Sequence, residues 1–558
     1  MWRSTVVLFL LCLWAFLVIG KLFYWQVLSY DKLAAAADEQ HFISLTLPSL
    51  RGDILSADDS IIVTNQPAYL VYAEPQKIKD KDKYAKILTK LLDVPISSIS
   101  SQIENNKVFW TPLAKQIEED IVEKIKKENL EGIGFEKEGK RYYPEASMSA
   151  HLLGFVASDS QGFDKGYFGI EGFYDRELRG RDGFVRWEKD PYGFPIVIGQ
   201  GERLDPENGR TIKLYLDKAV QLITEDKLKK GIERFGAKGG QVVVMEPKTG
   251  AILGMASYPN YDPADYDNYS REAYKNPIVA NSYEPGSTFK SIIMAAALNE
   301  KVVTPQTIVN EGGPINIGGY TIRTWNDKYH GQITTTEILQ YSSNVSMVSV
   351  AQKLGKDKMV EYIRKFGFGK ITNIDLEEEI TPQLREDDEW KEIDLATASF
   401  GQGIAVTPIQ MVRAVSVLAN GGKLVEPHIA EEIIDNNKKS IKIKPKIVRQ
   451  VISPATANII TEMLVSSVEA GEAHYVLPKG FRIAGKTGTA QIPVKGHYDE
   501  EKTIASFVGY APADEPRFVM LVTIVEPTSS PWGSETAAPL FIEIAKELLT
   551  YYKVFPKP

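Results

Sequence analysis

From Val6 to Gly20 the chain reads VVLFLLCLWAFLVIG without a single charge, and after Lys21 the apolar character resumes through LFYWQVL. A run of roughly 20 such residues is long enough to cross a bilayer as a helix, the form in which a segment satisfies all its own backbone polar groups inside lipid. A cleaved signal peptide would place small residues a few positions past the apolar core. The A-x-A pair Ala35 and Ala37 lies some fifteen residues beyond it, so the expectation is an uncleaved anchor. Arg3 and the amino terminus form a short basic end, and no second span follows. The bulk of the chain is therefore expected outside the cytoplasm, with Tyr24 and Trp25 suited to the membrane interface.

The 558 residues exceed one ordinary core and imply two or three domains. With 43% hydrophobic and 25% charged residues the composition is globular, and a formal charge of -8 excludes a basic face for nucleic acid. Mixed runs such as Asp80 to Lys83 read as solvated surface. The single cysteine, Cys12, lies in the apolar run and cannot form an internal disulfide. The six histidines, His41, His151, His330, His428, His474 and His497, lack H-E-x-x-H or similar spacing, so no metal is expected. No phosphate-binding loop or dinucleotide fingerprint sits at a strand-to-helix turn, and no cofactor is implied.

After the anchor, Asp31 to Gln40 reads as a helix leaving the membrane. Arg51 to Leu216 alternates short β-like runs with Gly, Pro and charged turns. Its segments RYYPEASMSAHLLGFV from Arg141 and GIEGFYDRELRG from Gly169 suit packing or spacing. Near Gly209 the pattern changes. RTIKLYLDKAVQLITEDKLKKGIERF switches from strand to helix periodicity, and GGQVVVMEPKTGAILGMAS reads as a hairpin with its turn at Pro247 to Gly250. Helical patterns follow at Ser287 to Glu300, Thr334 to Leu354, Lys356 to Phe366 and Pro408 to Asn420. Strands follow at Arg482 to Gln491, Ile504 to Tyr510 and Phe518 to Glu526, then a helix from Ala538 to Tyr552. This order predicts an α+β domain whose antiparallel sheet is covered by helices. The expected organisation is an anchor over 1–28, an elongated β-rich pedestal over 29–208 and the α+β domain over 209–558.

In YEPGSTFKSIIMAAALNE, Pro285 and Gly286 break the chain and Ser287 opens a helix with an apolar interior. Residues three apart share a helix face, so the Lys290 amine can reach the Ser287 hydroxyl. A serine hydroxyl is a poor nucleophile until a base takes its proton. Lysine at its ordinary pKa is only about one part in 2,500 neutral at pH 7, whereas burial lowers that pKa by roughly 3 to 5 pH units. The lysine stands where losing its charge is easy. Taken alone, an N-cap serine with a snorkelling lysine would explain the same residues.

Two further elements agree. Ser342 and Asn344 form S-x-N at a hydrophilic break in TTTEILQYSSNVSMVSVAQKLG, able to relay protons and hold an amide, or else to form a polar turn between helices. In RIAGKTGTAQIP, Gly488 clears space for a second backbone, Lys486 supplies positive charge, and Thr487 and Thr489 could grip a carboxylate. An ordinary strand with a glycine kink is the plainer alternative. A second K-T-G, at Lys248 to Gly250, is explained as a hairpin turn.

Ser-x-x-Lys, Ser-x-Asn and Lys-Thr-Gly in that order resemble the signature of the penicillin-recognising serine transferases. Nearly the whole chain resembles class B penicillin-binding proteins, through RGDIL from Arg51, the two pedestal segments above, GGQVVVMEPKTGAILGMAS, YEPGSTFK, FGQGIAVTPIQM from Phe400 and SFVGYAPADEPRF from Ser506. The last two, with KTGTAQIP, look more like the division or sporulation branch. The resemblance implies a D,D-transpeptidase that cross-links peptidoglycan stem peptides. Ser287 would attack the donor, Lys290 would be its base, and Ser342, Asn344 and Lys486 would pass the proton on. Backbone N–H groups of Ser287 and Thr489 would form the oxyanion hole, and Thr487 and Thr489 would hold the substrate carboxylate. It further implies acylation by β-lactams and, as partners, a membrane glycosyltransferase polymerase and division proteins. A D,D-carboxypeptidase or β-lactamase, or a non-catalytic sensor or scaffold, would share much of this pattern. A bifunctional class A enzyme would need a further domain before the pedestal. One departure is SADD at Ser56 to Asp59, where the family usually carries Asp-Arg-Asn-Gly.

Overall fold

The computed structural model describes residues 2–34, 42–106, 108, 110–160, 162–188, 201–478, 480–494 and 497–556. Ala35, Ala37, His41 and the end of the helix expected over Asp31 to Gln40 lie outside the described residues; 30–34 are helical. The chain divides into two compact units, Met1–Arg51 with Asn65–Lys140 and Gly180–Gly209, and Gly52–Thr64 with Arg141–Arg179 and Arg210–Pro558. The units interleave along the chain. Residues 52–64 and 141–179, which the sequence suggests for the pedestal, cluster with the second unit.

In the first unit Trp2–Phe23 is α-helical and Tyr24–Leu28 continues as one π-helical turn. The most apolar 18-residue window of this segment has mean hydropathy 2.6, and no protein buries it. Its 27 residues rise about 40 Å, enough to span a bilayer. Farther along, Phe42–Leu47, Gly183–Glu188 and Gly201–Leu204 form an antiparallel sheet with Gly183–Glu188 in the middle. Three helices, Lys81–Leu92, Ile96–Glu104 and Glu119–Lys127, correct the expectation of alternating β-like runs. Asp80 caps the first by accepting from Lys83 N at 3.1 Å. Ala85, Leu88, Leu92, Ile99, Ile103 and Ile125 recur at helical spacing and share a core with Val71 and Leu113. The lysines and glutamates between these positions mask that period when turn residues guide the reading.

The second unit is built on an antiparallel sheet of β1 (Gly239–Met245), β2 (Ile252–Tyr258), β3 (Ala484–Val494), β4 (His497–Ala511) and β5 (Phe518–Val525), ordered β2-β1-β5-β4-β3. The central strand β5, FVMLVTIV, is buried on both faces. Val519 and Leu521 join one core with Ile292, Ile409 and Ile460, while Phe518, Met520 and Val522 join another with Leu228, Phe541 and Leu548. The two-residue period of a strand thus demands a helical layer on each side. Lys290–Asn299, Pro408–Ala419 and Pro454–Glu469 supply one layer; Lys218–Phe235 and Ala537–Tyr551 supply the other. Fully burying one such Leu or Phe contributes about 1.5 to 3 kcal/mol. The expected hairpin is β1–β2, and the turn copy of K-T-G is held by Glu246, whose carboxylate accepts from Thr249 N at 2.7 Å. The Pro454–Glu469 helix, capped by Ser453, is absent from the sequence reading.

The segments from Arg141 and Gly169 have a packing role in this unit. Arg141 Nε donates to Glu171 Oε1 at 2.7 Å with both side chains buried, and Arg141 Nη1 donates to Gly52 O at 2.8 Å. SADD forms the turn between Ile54–Leu55 and Ile61–Ala73. Asp58 accepts from the Ser56 and Ser60 hydroxyls, which hold its carboxyl down at about 2. Asp59, at φ 65°, pairs with Lys213 at 2.7 Å.

Candidate active site

Pro285 leads into one 3-10 turn, Gly286–Phe289, and the α-helix begins only at Lys290. Ser287 therefore lies in the tight turn and not in the helix that the sequence suggests. From Pro285 to Leu298 every residue is buried except Ser287, which is half-buried. Gly286 takes φ 55°, and its N–H donates to Gly401 O at 3.0 Å. Gly401 has φ 81°, and a Cβ there would stand 2.1 Å from Gly286 O. The FGQG stretch thus supports the turn that presents Ser287.

The hydrophilic break is a true interruption of the helix expected from Thr334 to Leu354. One helix ends at Gln340, Ser343 accepts from Ser346 N at 3.0 Å, and a second helix begins at Asn344. Ser342 is held at φ 55°, a left-handed conformation that costs a non-glycine residue about 1 to 3 kcal/mol. Lys290 fixes it from below. Its Nζ donates to Ser342 O, to Ser342 Oγ at 3.3 Å and to Asn344 Oδ1 at 2.8 Å. Asn344 Nδ2 in turn donates to Arg323 O at 3.1 Å. Among the described residues no hydrogen bond joins Lys290 Nζ to Ser287 Oγ; the amine is turned to S-x-N instead.

Lys486 to Thr489 lie on β3, the edge strand of the sheet, paired with Val508 to Ala505 of β4. A Cβ on Gly488 would stand 2.5 Å from Ser506 Oγ and 3.0 Å from Pro285 O. The glycine thus lets this chain's own Ser287 turn approach the strand. Lys486 Nζ donates to Thr487 Oγ1 at 3.0 Å, and Thr487 Oγ1 donates to Glu472 Oε2 at 2.9 Å. Gly533 N donates to Thr489 Oγ1 at 3.0 Å.

These parts enclose a cleft of about 270 Å³ lined by Ser287, Ser342, Asn344, Thr487, Gly488 and Thr489. Lys290 and Lys486 lie buried behind it. Glu472, Trp325 and Trp532 also line it, and sequence reading missed all three. The two indoles meet with centroids 4.8 Å apart. Glu472 belongs to a loop with no motif of its own, and the tryptophans converge from positions 207 residues apart, so only the fold could reveal them.

Burial is the main force holding the Lys290 amine well below its ordinary pKa, and the charge of Lys486 pushes the same way. Glu472 and Glu311 oppose them. Burial likewise lowers Lys486, again against Glu472. The buried Lys486 cation thus disfavours a charge on Lys290. Among the described residues no group of three or more His, Cys, Asp or Glu could hold a metal ion.

A half-buried serine at a tight turn, a buried amine of lowered proton affinity and the edge strand of the sheet meet at this one cleft. The chain matches the penicillin binding protein transpeptidase domain over residues 240–546 and the penicillin-binding protein dimerisation domain over 46–214. It belongs to the class B penicillin-binding proteins of the division or sporulation type. Stage V sporulation protein D of Bacillus subtilis is 36% identical over 97% of this chain and 84% of its own. The peptidoglycan D,D-transpeptidase FtsI of Escherichia coli is 30% identical over 100% of this chain and 92% of its own. Among solved structures, a peptidoglycan synthetase from Bifidobacterium adolescentis superposes with TM-score 0.76 at 25% identity, covering 93% of this chain and 98% of its own. Penicillin binding protein 3 from Mycobacterium tuberculosis, complexed with aztreonam, gives 0.72 at 25% identity, covering 92% and 98%. The enzyme is thus a penicillin-binding serine transpeptidase of cell-wall synthesis, and the one membrane-length apolar helix among the described residues, at the N-terminus, fits a single-pass membrane protein.

Proposed function

We propose that this enzyme is a D,D-transpeptidase that cross-links peptidoglycan stem peptides in division or sporulation, with its catalytic unit outside the cytoplasm. Ser287 Oγ attacks the carbonyl carbon of the donor's penultimate D-Ala. The C–N bond to the terminal D-Ala breaks, and that residue leaves as a free amine carrying a proton. The amine of a second stem peptide then attacks the acyl-enzyme and releases Ser287. Neutral Lys290 takes the serine proton, and Ser342, Asn344 and Lys486 carry it to the leaving nitrogen. Backbone N–H groups of Ser287 and Thr489 stabilise the oxyanion; losing one such donor costs about 100-fold to 1,000-fold in rate. Thr487 and Thr489 hold the donor carboxylate while the peptide extends along the free edge of β3. β-Lactams acylate Ser287 in the donor's place. A membrane glycosyltransferase polymerase and division proteins are its partners by family resemblance.

The observation that carries this reading is the Lys290 amine, buried and bonded to both Ser342 and Asn344 behind a cleft that opens at Ser287. The test supplies a donor stem peptide and an acceptor amine. Cross-linked dimer is the expected product, absent in Ser287→Ala. Truncated donor alone would identify a hydrolytic carboxypeptidase.

A further inference from the structure

The hydroxyl proton of Thr487 points at a carboxylate of this chain. Thr487 Oγ1 accepts from Lys486 Nζ at 3.0 Å and donates to Glu472 Oε2 at 2.9 Å. Glu472 lines the same cleft as Ser287 and Thr489. A hydroxyl has one proton to give. A donor or β-lactam carboxylate arriving at Thr487 therefore meets a group of its own kind and charge already bonded there. Thr489, whose Oγ1 accepts from Gly533 N, has no acceptor for its own proton among the described residues.

The geometry points to Glu472 as a specificity-determining residue, an internal carboxylate that occupies the place of the substrate's terminal carboxylate at Thr487 and must give way for a charged donor to seat. This rests on the transpeptidase reading, in which Thr487 and Thr489 hold that carboxylate. In the empty site Glu472 keeps the Lys486–Thr487 pair neutralised. On binding, the incoming carboxylate takes the Thr487 proton and the Thr489 hydroxyl, and Glu472 turns away into the open cleft. Ligands lacking the negative charge have no such competitor to displace. The residue thus weakens acylation by anionic ligands relative to neutral ones, a discrimination that depends on charge and not on shape.

The test measures the second-order rate of Ser287 acylation in the full-length protein by intact mass, using a penicillin and its methyl ester. Wild type, Glu472→Gln and Glu472→Ala are compared. Removing one like charge is expected to raise the acid-to-ester rate ratio about tenfold in both variants, the change that 1.4 kcal/mol produces. The ester rate carries whatever change the Lys290 and Lys486 amines undergo when the Glu472 charge is removed, and taking the ratio cancels it. An unchanged ratio, or acid and ester rates that move together, overturns the role of Glu472 while leaving the transpeptidase reading in place. Wild type that neither compound acylates overturns the transpeptidase reading, and this inference with it.

Discussion

Lys290 Nζ, buried behind the cleft that Ser287 opens, lies 2.8 Å from Oδ1 of Asn344, a cleft-lining residue 54 positions away in the sequence. The bond explains why S-x-N and S-x-x-K occur together. The asparagine and the Ser342 carbonyl anchor the amine proposed as the base for Ser287, and the break between two helices is the geometry that lets them do so.

The pH dependence of acylation follows from the lowered pKa of Lys290. The rate should rise with pH as the amine loses its proton, giving an acid limb below the ordinary lysine range. Asn344→Asp places a carboxylate beside Nζ and favours its charged form, so the limb should move to higher pH. A pH–rate profile of β-lactam acylation checks this; an unmoved limb would separate Asn344 from the base. For stability the sign is also fixed. The unfolded chain, with lysine near 10.4, holds more protons than the folded one at every pH between the two values, so this group makes stability rise with pH through that window.

Gly401→Ala should damage both stability and activity. The new methyl would stand 2.1 Å from Gly286 O on a backbone at φ 81°. The strain is expected to cost about 2 to 4 kcal/mol, read as a lower urea midpoint. Shifting the Ser287 turn by about 1 Å should slow acylation about 100-fold.

His151 should contribute to acid sensitivity. Its ring is buried against Tyr261, Nε2 lies 3.0 Å from Ala273 O, and burial holds its pKa down at about 4. The unfolded histidine titrates near 6.5, so stability falls as pH drops below that value and the loss is complete under the folded pKa. From pH 7 to 4.5 the loss through this group is about 2 kcal/mol. Urea unfolding of His151→Gln at the two pH values should show a correspondingly smaller difference than wild type.

The two copies of K-T-G should respond in opposite ways. Lys248 is exposed at a hairpin turn, and Lys248→Ala should leave stability within about 0.5 kcal/mol and acylation unchanged. Lys486 is buried behind the cleft, and Lys486→Ala should slow acylation about 100-fold or more. Labelling by fluorescent penicillin compares them directly.

What the sequence makes legible is chemistry carried by short range order. Ser287 and Lys290 are three residues apart, Ser342 and Asn344 two, and a single turn or helix break is enough to bring each pair to one site. The β-branched run of β1 and the apolar stretch of β5 likewise announce a buried sheet. The Glu472–Thr487 bond and the Trp325–Trp532 contact join distant segments and depend on the folded sheet edge. Segments 52–64 and 141–179 join the second unit through contacts such as Asp59 to Lys213 and Tyr174 to Asp375, which periodicity cannot register. The Ser287 turn itself is misread as helix because the glycine pair that shapes it, Gly286 and Gly401, is separated by more than a hundred residues.

The central claim is that one hydroxyl, at Ser287, carries the acyl group. Incubating the protein with a β-lactam and mapping the adduct by peptide mass spectrometry tests it most directly. The added mass should lie on the peptide containing Ser287 and vanish in Ser287→Ala. An adduct on any other residue, or one that survives that substitution, would contradict the account.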